Sequence, residues 1–474
     1  MKTTTSQNKI LKAGTGYVIG NYLLKGITFL SAPIFTRLLT PEEYGFFGTY
    51  MSYESIFFII IGLALHVSIN NAKYEYQDKL DEYVSSIVLL TGISSLIWLV
   101  LANVFYDNYC NILDFSRFVV NILVFNCFAT AMFQIFSTYV SLNYSVKSFL
   151  KITSVNAISN LGLSVILLLT VFSKSRLLGR IIGMVLPLLF ISIYIIIYFF
   201  RKSKAKVNKT YWKFAFVYSI PLIPHGISQV ILGSFDRIMI KNMIGAAEAG
   251  LYNFAFAISA LVKVTSSSLE NIWKPWIYEK MNEKDYVSIK KQGTKYAFGI
   301  ALFTCLVVLV SPELIKILGA REYWASTDCV VPVVIGGYFA FIYMLPGIIE
   351  FFYGKTKYIA LGTLLAAVLN IILNYLFIPK FGYIAAAYTT MVTYFLYFLF
   401  HFMLARKIHG SNIFSARQLL GICAGVVVVG FISLLIKELF VVRWIIAVAL
   451  GLYSLYWVEK NFHVIKLIKD KLRK

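Results

Sequence analysis

The chain has 474 residues, of which 59% are hydrophobic and only 14% charged, with a formal net charge of +22. Soluble domains carry roughly a quarter of their residues charged, so a soluble fold is excluded. The basic residues fall between and after apolar stretches, at 201–213, 274–295 and 460–474, the positive-inside pattern of a membrane protein and not a nucleic-acid-reading module.

The apolar stretches run to ~20 residues or more, enough to cross a ~30 Å hydrocarbon layer, and backbone groups in lipid have to be satisfied within each segment, so each reads as a helix. In chain order, spans are predicted at 14–35, 44–69, 84–105, 118–140, 149–172, 177–200, 214–243, 250–269, 296–310, 329–352, 358–378, 383–404, 419–435 and 444–458. The chain is thus expected to be an all-α integral membrane protein of about fourteen helices. Lys and Arg crowd on one side of this list, which puts both termini in the cytoplasm. The expected organisation is an N-terminal lobe at 1–200, a basic cytoplasmic linker at 201–213, a C-terminal lobe at 214–405, and two last spans with a basic tail at 406–474.

Before the second span, Thr40, Pro41 and Glu43 form a capping-box pattern with proline in the first turn. Residues 41–47 align with 246–252, matching an acidic residue, a glycine and an aromatic at the start of a span, as two parallel repeats would. The longest connection, 273–295, is rich in Lys and Glu and reads as an amphipathic surface helix. Five scattered cysteines without a CxxC pair give no metal or disulfide pattern.

Ionisable groups inside spans are costly and need a wet cavity or a partner. Lys25 falls midway along the first span. His225, Gln229 and Asp236 form a polar stripe on the seventh, which Pro221 and Pro224 are expected to kink, and Arg237 points ~100° away from Asp236. The eighth carries Lys263 and Glu270, the second Glu54, the eleventh Asn370 and Asn374, and the fifth Asn156 and Asn160. Lys25 and Lys263 are expected to line a cavity, while the asparagines also suit interhelical bonding. His66 and His401 are read as interfacial, and Pro332 and Pro346 as breaks in the tenth span.

The segments Tyr218 to His225, Asp236 to Ile240 and Gly250 to Tyr252 resemble the seventh and eighth helices of Wzx-type polysaccharide flippases, in the multidrug/oligosaccharidyl-lipid/polysaccharide (MOP) exporter superfamily. Further likeness lies in Arg37 to Gly45, Trp273 to Trp276, and Asn370 to Tyr375 running into Ile378 to Gly382. The resemblance implies two pseudo-symmetric six-helix lobes around a central cationic cavity, and ion-coupled alternating access in the bacterial cytoplasmic (inner) membrane. The implied substrate is an undecaprenyl-diphosphate-linked oligosaccharide, a repeat unit of O-antigen, capsule or exopolysaccharide. On this reading Lys25, Lys263 and Arg237 meet the anionic headgroup; Asp236, Glu54 or Glu270 carries a proton, binds sodium, or neutralises a lysine. His225, Gln229, Asn370 and Asn374 supply polar cavity lining. No cofactor or metal is expected; membrane lipids, and the glycan polymerase and chain-length proteins, are candidate partners. A drug or cation antiporter of the same superfamily is the alternative that shares this plan and calls for an acidic cavity. A glycan polymerase or ligase calls for a long outer loop that no connection provides.

Overall fold

A computed structural model describes Phe29 and residues 31–462 except Tyr144, Ala205 and Ser411, with Asn271 and Ile272 given by backbone only. Most of the predicted first span therefore lies outside the described residues. Within them the regular structure is wholly helical, and twelve helices are long and apolar enough to cross a membrane, or thirteen if the bent pair Pro41–Ile61 and Leu65–Glu75 counts as one. By internal packing the chain forms two units, Met1–Lys241 and Asn242–Lys474.

The first unit holds α1 (Pro41–Ile61), α2 (Leu80–Val104), α3 (Arg117–Leu142), α4 (Val146–Leu169), α5 (Arg176–Lys202), α6 (Lys209–Ser219) and most of α7 (Ile223–Met243). One core cluster joins Tyr50, Leu123, Ile181 and Val185; a second joins Tyr83, Ile87, Ile135, Phe199 and Ala215, and so ties α6 into this unit. Helices α4 and α5 approach closely at Gly183, where a Cβ would lie 2.4 Å from the Ser164 Cα.

The second predicted span is not continuous. After Ile61 the chain turns through Gly62, Leu63 and Ala64, the last two at φ 51° and 48°, and the following helix is bent by 54°. At the break a Cβ on Gly62 would lie 2.7 Å from the Phe58 carbonyl oxygen and 2.9 Å from the Ala131 Cβ of α3, so a side chain has no room there. The prolines of the seventh span act as expected: a 3-10 turn at Ile220–Leu222 separates α6 from α7.

The second unit comprises α8 (Ala246–Asn282), α9 (Tyr286–Leu318), α10 (Thr327–Ile342), α11 (Met344–Phe352), α12 (Thr356–Phe381), α13 (Tyr383–His409), α14 (Ala416–Leu435) and α15 (Phe440–Phe462). Both copies of the short repeat open a helix at their first aligned residue, Pro41 in α1 and Ala246 in α8. The segment 273–295 is not a separate surface helix. Helix α8 runs through Pro275 to Asn282 and α9 starts at Tyr286, so two long helices meet at a tight turn. Asp285 caps α9 by accepting from the Ser288 N–H at 3.1 Å, and Lys280 pairs with Glu283 at 2.6 Å. At 1.5 Å per residue, α8 is longer than the ~30 Å hydrocarbon layer, which explains why its end is charged.

The tenth span breaks once, at Tyr343, three residues before Pro346. Pro332 stays inside α10 without breaking it: its missing N–H would have served Asp328 in the first turn, where that side chain is half exposed and water can serve instead. Helices α14 and α15 pack on α9. The buried Arg443 joins α15 to α9, donating to Glu313 at 2.6 Å and to the Leu309 carbonyl at 2.8 Å.

Candidate substrate-binding residues

The start of α1 organises one end of the first unit. Thr40 and Glu43 exchange the two bonds of a capping box: the Thr40 N–H donates to the Glu43 carboxylate at 2.9 Å, and the Glu43 N–H to the Thr40 hydroxyl at 3.2 Å. That fixes the first turn and directs Tyr44 and Phe47 inward. Against them lies Arg180 of α5, 8% exposed. Its guanidinium stands over the rings of Phe35 at 3.9 Å and Phe47 at 4.4 Å and donates from Nη1 to the Asn160 Oδ1 at 2.8 Å and the Ser164 hydroxyl at 2.7 Å. The close α4–α5 approach at Gly183 brings these acceptors within reach. Among the described residues no carboxylate pairs with Arg180. Its compensation is therefore neutral oxygen and aromatic faces, which leaves its positive charge uncancelled.

Tyr44 lies within electrostatic reach of Arg180 and of Arg237 on α7. Arg237 and Asp236 are both buried. One turn further along α7, Lys241 pairs with Asp114 at 2.5 Å and stands over Phe46. Arg176 donates to the Leu38 carbonyl at 3.1 Å. The end of the unit where α1 begins and α7 finishes thus gathers Arg176, Arg180, Arg237 and Lys241.

Other predicted residues are more dispersed. Lys25 lies outside the described residues. Glu54 is buried on α1 and accepts from the Thr130 hydroxyl of α3 at 2.7 Å. His225 and Gln229 are half-buried in the first two turns of α7, and the His225 Nδ1 is buried with no hydrogen-bond partner among the described residues. In the second unit Lys263 is exposed on α8 and Glu270 is half-buried two turns beyond it, with Lys274 a turn further on. Asn370 and Asn374 are fully buried and join α12 to α13: Asn370 donates to the Thr390 hydroxyl at 2.9 Å, Asn374 donates to the Asn370 Oδ1 at 3.2 Å, and the Thr389 hydroxyl donates to the Asn374 Oδ1.

Arg180 was not among the residues singled out from the sequence. Four residues after Arg176, it reads as the basic end of a span. The available signal was Asn160 and Ser164 at i, i+4 on the fifth span, two acceptors in need of a donor. His401 also differs from its interfacial reading: it is fully buried and hydrogen-bonded to Glu350.

The model of a family described as polysaccharide biosynthesis protein matches residues 10–281. The capsular polysaccharide biosynthesis protein CapF of Staphylococcus aureus is 22% identical over 82% of this chain and 98% of its own length. Among solved structures, the lipid II flippase MurJ in an inward closed conformation superposes with a TM-score of 0.73 at 14% identity, over 94% of this chain and 98% of that one. An inward-facing multidrug resistance transporter of the MATE family, in the MOP superfamily, gives 0.64 at 14% identity over 83% and 98%. A multi-pass helical membrane chain with the fold of the MurJ and MATE structures, matched over more than half its length by that family model, belongs to the polysaccharide biosynthesis protein family.

Proposed function

We propose that this protein is a flippase that carries an undecaprenyl-diphosphate-linked oligosaccharide from the cytoplasmic to the outer leaflet of the bacterial inner membrane by ion-coupled alternating access. The observation that carries this reading is family membership on a fold shared, nearly end to end, with a protein named for flipping lipid II. The kinship with a capsular polysaccharide protein points to the same class of cargo. Chemistry agrees. A diphosphate and its sugars cross hydrocarbon only when protein groups replace their hydration; charge-assisted donors are the strong means of doing so. Arg237, Lys25 and Lys263, joined by Arg180, are the donors we assign to the headgroup, and His225 and Gln229 face the sugars. Asp236, Glu54 and Glu270 are the acidic groups available to a proton or sodium ion.

The test is exposure of lipid-linked saccharide at the outer face, read by a membrane-impermeant glycan-cleaving enzyme in spheroplasts depleted of the chain. Depletion is expected to leave the saccharide protected and accumulating inside. Undiminished cleavage in depleted cells would refute the proposal.

A further inference from the structure

The second unit contains a titratable pair that this transport reading leaves unused. Glu350 on α11 and His401 on α13 are each 0% exposed, and the His401 Nδ1 and Glu350 Oε1 share a hydrogen bond of 2.8 Å. The other polar atom of each side chain, Glu350 Oε2 and His401 Nε2, is buried with no hydrogen-bond partner among the described residues. An unpaired polar atom in an apolar interior is costly, and here one hydrogen-bonded pair of ionisable groups carries two. The Nε2 faces Gly362 of α12, where a Cβ would stand 2.9 Å away. Glycine there keeps room for the imidazole and for the Phe400 ring, whose Cε1 would stand 2.7 Å from that Cβ.

The surroundings isolate the pair. Tyr343, at the break between α10 and α11, has its ring 5.6 Å from that of His401, and the Tyr397 ring of α13 is 4.4 Å away. Tyr394 and Glu270 lie within electrostatic reach of Tyr343. Lys274, also on α8, stands over Phe351 at 4.9 Å, and Arg406 shares a small cleft with Pro346 and Ile349. Helix α12 offers Gly362 and Thr363, neither titratable. Among the described residues neither member of the pair has an ion-pair partner other than the other.

We propose that Glu350 and His401 form a proton-binding site whose occupancy controls the break at Tyr343. Loading takes one proton from water: an O–H bond forms on the Glu350 carboxylate as one breaks in hydronium, His401 stays neutral, and the pair becomes net neutral. Unloading returns the proton to water and leaves one negative charge. A net charge in this dry interior is unfavourable, so the closed packing of α11 on α13 favours the loaded pair. Loss of the proton favours water entry and movement at the adjacent break. The proton thereby becomes a ligand that distinguishes two conformations, as a coupling ion has to. Its role in transport rests on the flippase reading, but the site itself does not.

The test uses full-length protein in liposomes, by infrared difference spectroscopy and proton-uptake titration across the range in which carboxyl and imidazole groups ionise. Wild type is expected to show a protonated-carboxyl band that disappears as pH rises. Glu350→Gln, which retains hydrogen bonding to His401, should lack that band and take up one proton fewer. Gly362→Ala, which crowds Nε2 without removing either group, should shift the midpoint. Identical spectra and uptake in wild type and Glu350→Gln would overturn the site. If the band is present and lipid-linked saccharide is translocated independently of a pH gradient, coupling is overturned. If the band is present and no variant translocates saccharide at all, the flippase reading falls and the proton site stands.

Discussion

Replacing Arg180 by Met separates a structural cation from a functional one. The substitution removes two charge-assisted hydrogen bonds, to Asn160 at 2.8 Å and Ser164 at 2.7 Å, and two ring contacts, to Phe35 and Phe47. Those bonds contribute roughly 1.5 to 3 kcal/mol each and the ring contacts about 1 to 2 kcal/mol each. Against this stands the cost of holding an ion out of water without a carboxylate, several kcal/mol in proteins, which Met does not incur. The opposing terms are of similar size, so the stability change is expected to stay within about 2 kcal/mol of zero. Asn160 and Ser164 remain within 3.4 Å of each other and retain a mutual bond. Translocation should respond differently: loss of one charge-assisted contact to a phosphate, worth about 1.5 to 3 kcal/mol, predicts a drop of about 10- to 150-fold. Arg180→Lys keeps the charge and should recover part of the rate. The assays are thermal unfolding of purified protein and transfer of lipid-linked saccharide across reconstituted liposomes. An Arg180→Met protein that is strongly destabilised, or one that translocates at the wild-type rate, refutes the reasoning.

Gly183→Leu should force α4 from α5, because its Cβ would start 2.4 Å from a backbone carbon; a loss of about 3 kcal/mol or more, read as a lower Tm, is expected. Arg443→Ala strands the Glu313 carboxylate at 15% exposure and should cost about 3 to 5 kcal/mol, much of it recovered when Glu313 is also made Ala. Lys25→Ala is expected to abolish outer-leaflet delivery of the saccharide while insertion, followed by membrane fractionation, is unchanged. Full transport by that variant would remove Lys25 from the headgroup site.

Hydropathy located most helices because the ~30 Å layer imposes a length that composition can reveal. Local chemistry was equally legible: the Thr40–Glu43 box and the Pro221–Pro224 break depend on residues within a few positions of one another. What was not legible depends on neighbours distant in sequence. The break after Ile61 lies where Gly62 meets Ala131 of the distant α3, and Arg180 owes its company to the close approach of α4 at Gly183. His401, placed near a span end by counting residues, is buried because α13 continues to His409 and α11 covers it. The run at 273–295 looked amphipathic because two helix ends project past the apolar layer, a pattern that a single surface helix also produces.

The buried polar groups fall into two classes, and the difference bears on mechanism. Asn370, Asn374, Thr389 and Thr390 bond one another between α12 and α13. Such sets are complete within the protein, so they have little affinity left for a visitor and serve to hold helices together. Among the described residues Arg180 has charge but no carboxylate partner, and Glu350 and His401 each have an unmet polar atom, so the two are incomplete in complementary ways. The first lacks an anion and the second has a place for a proton. A carrier of a phosphorylated lipid driven by an ion needs both kinds of deficiency, because a fully satisfied interior would gain nothing by binding either cargo or coupling ion, and ligands shift a conformational equilibrium only by the free energy with which they favour one state.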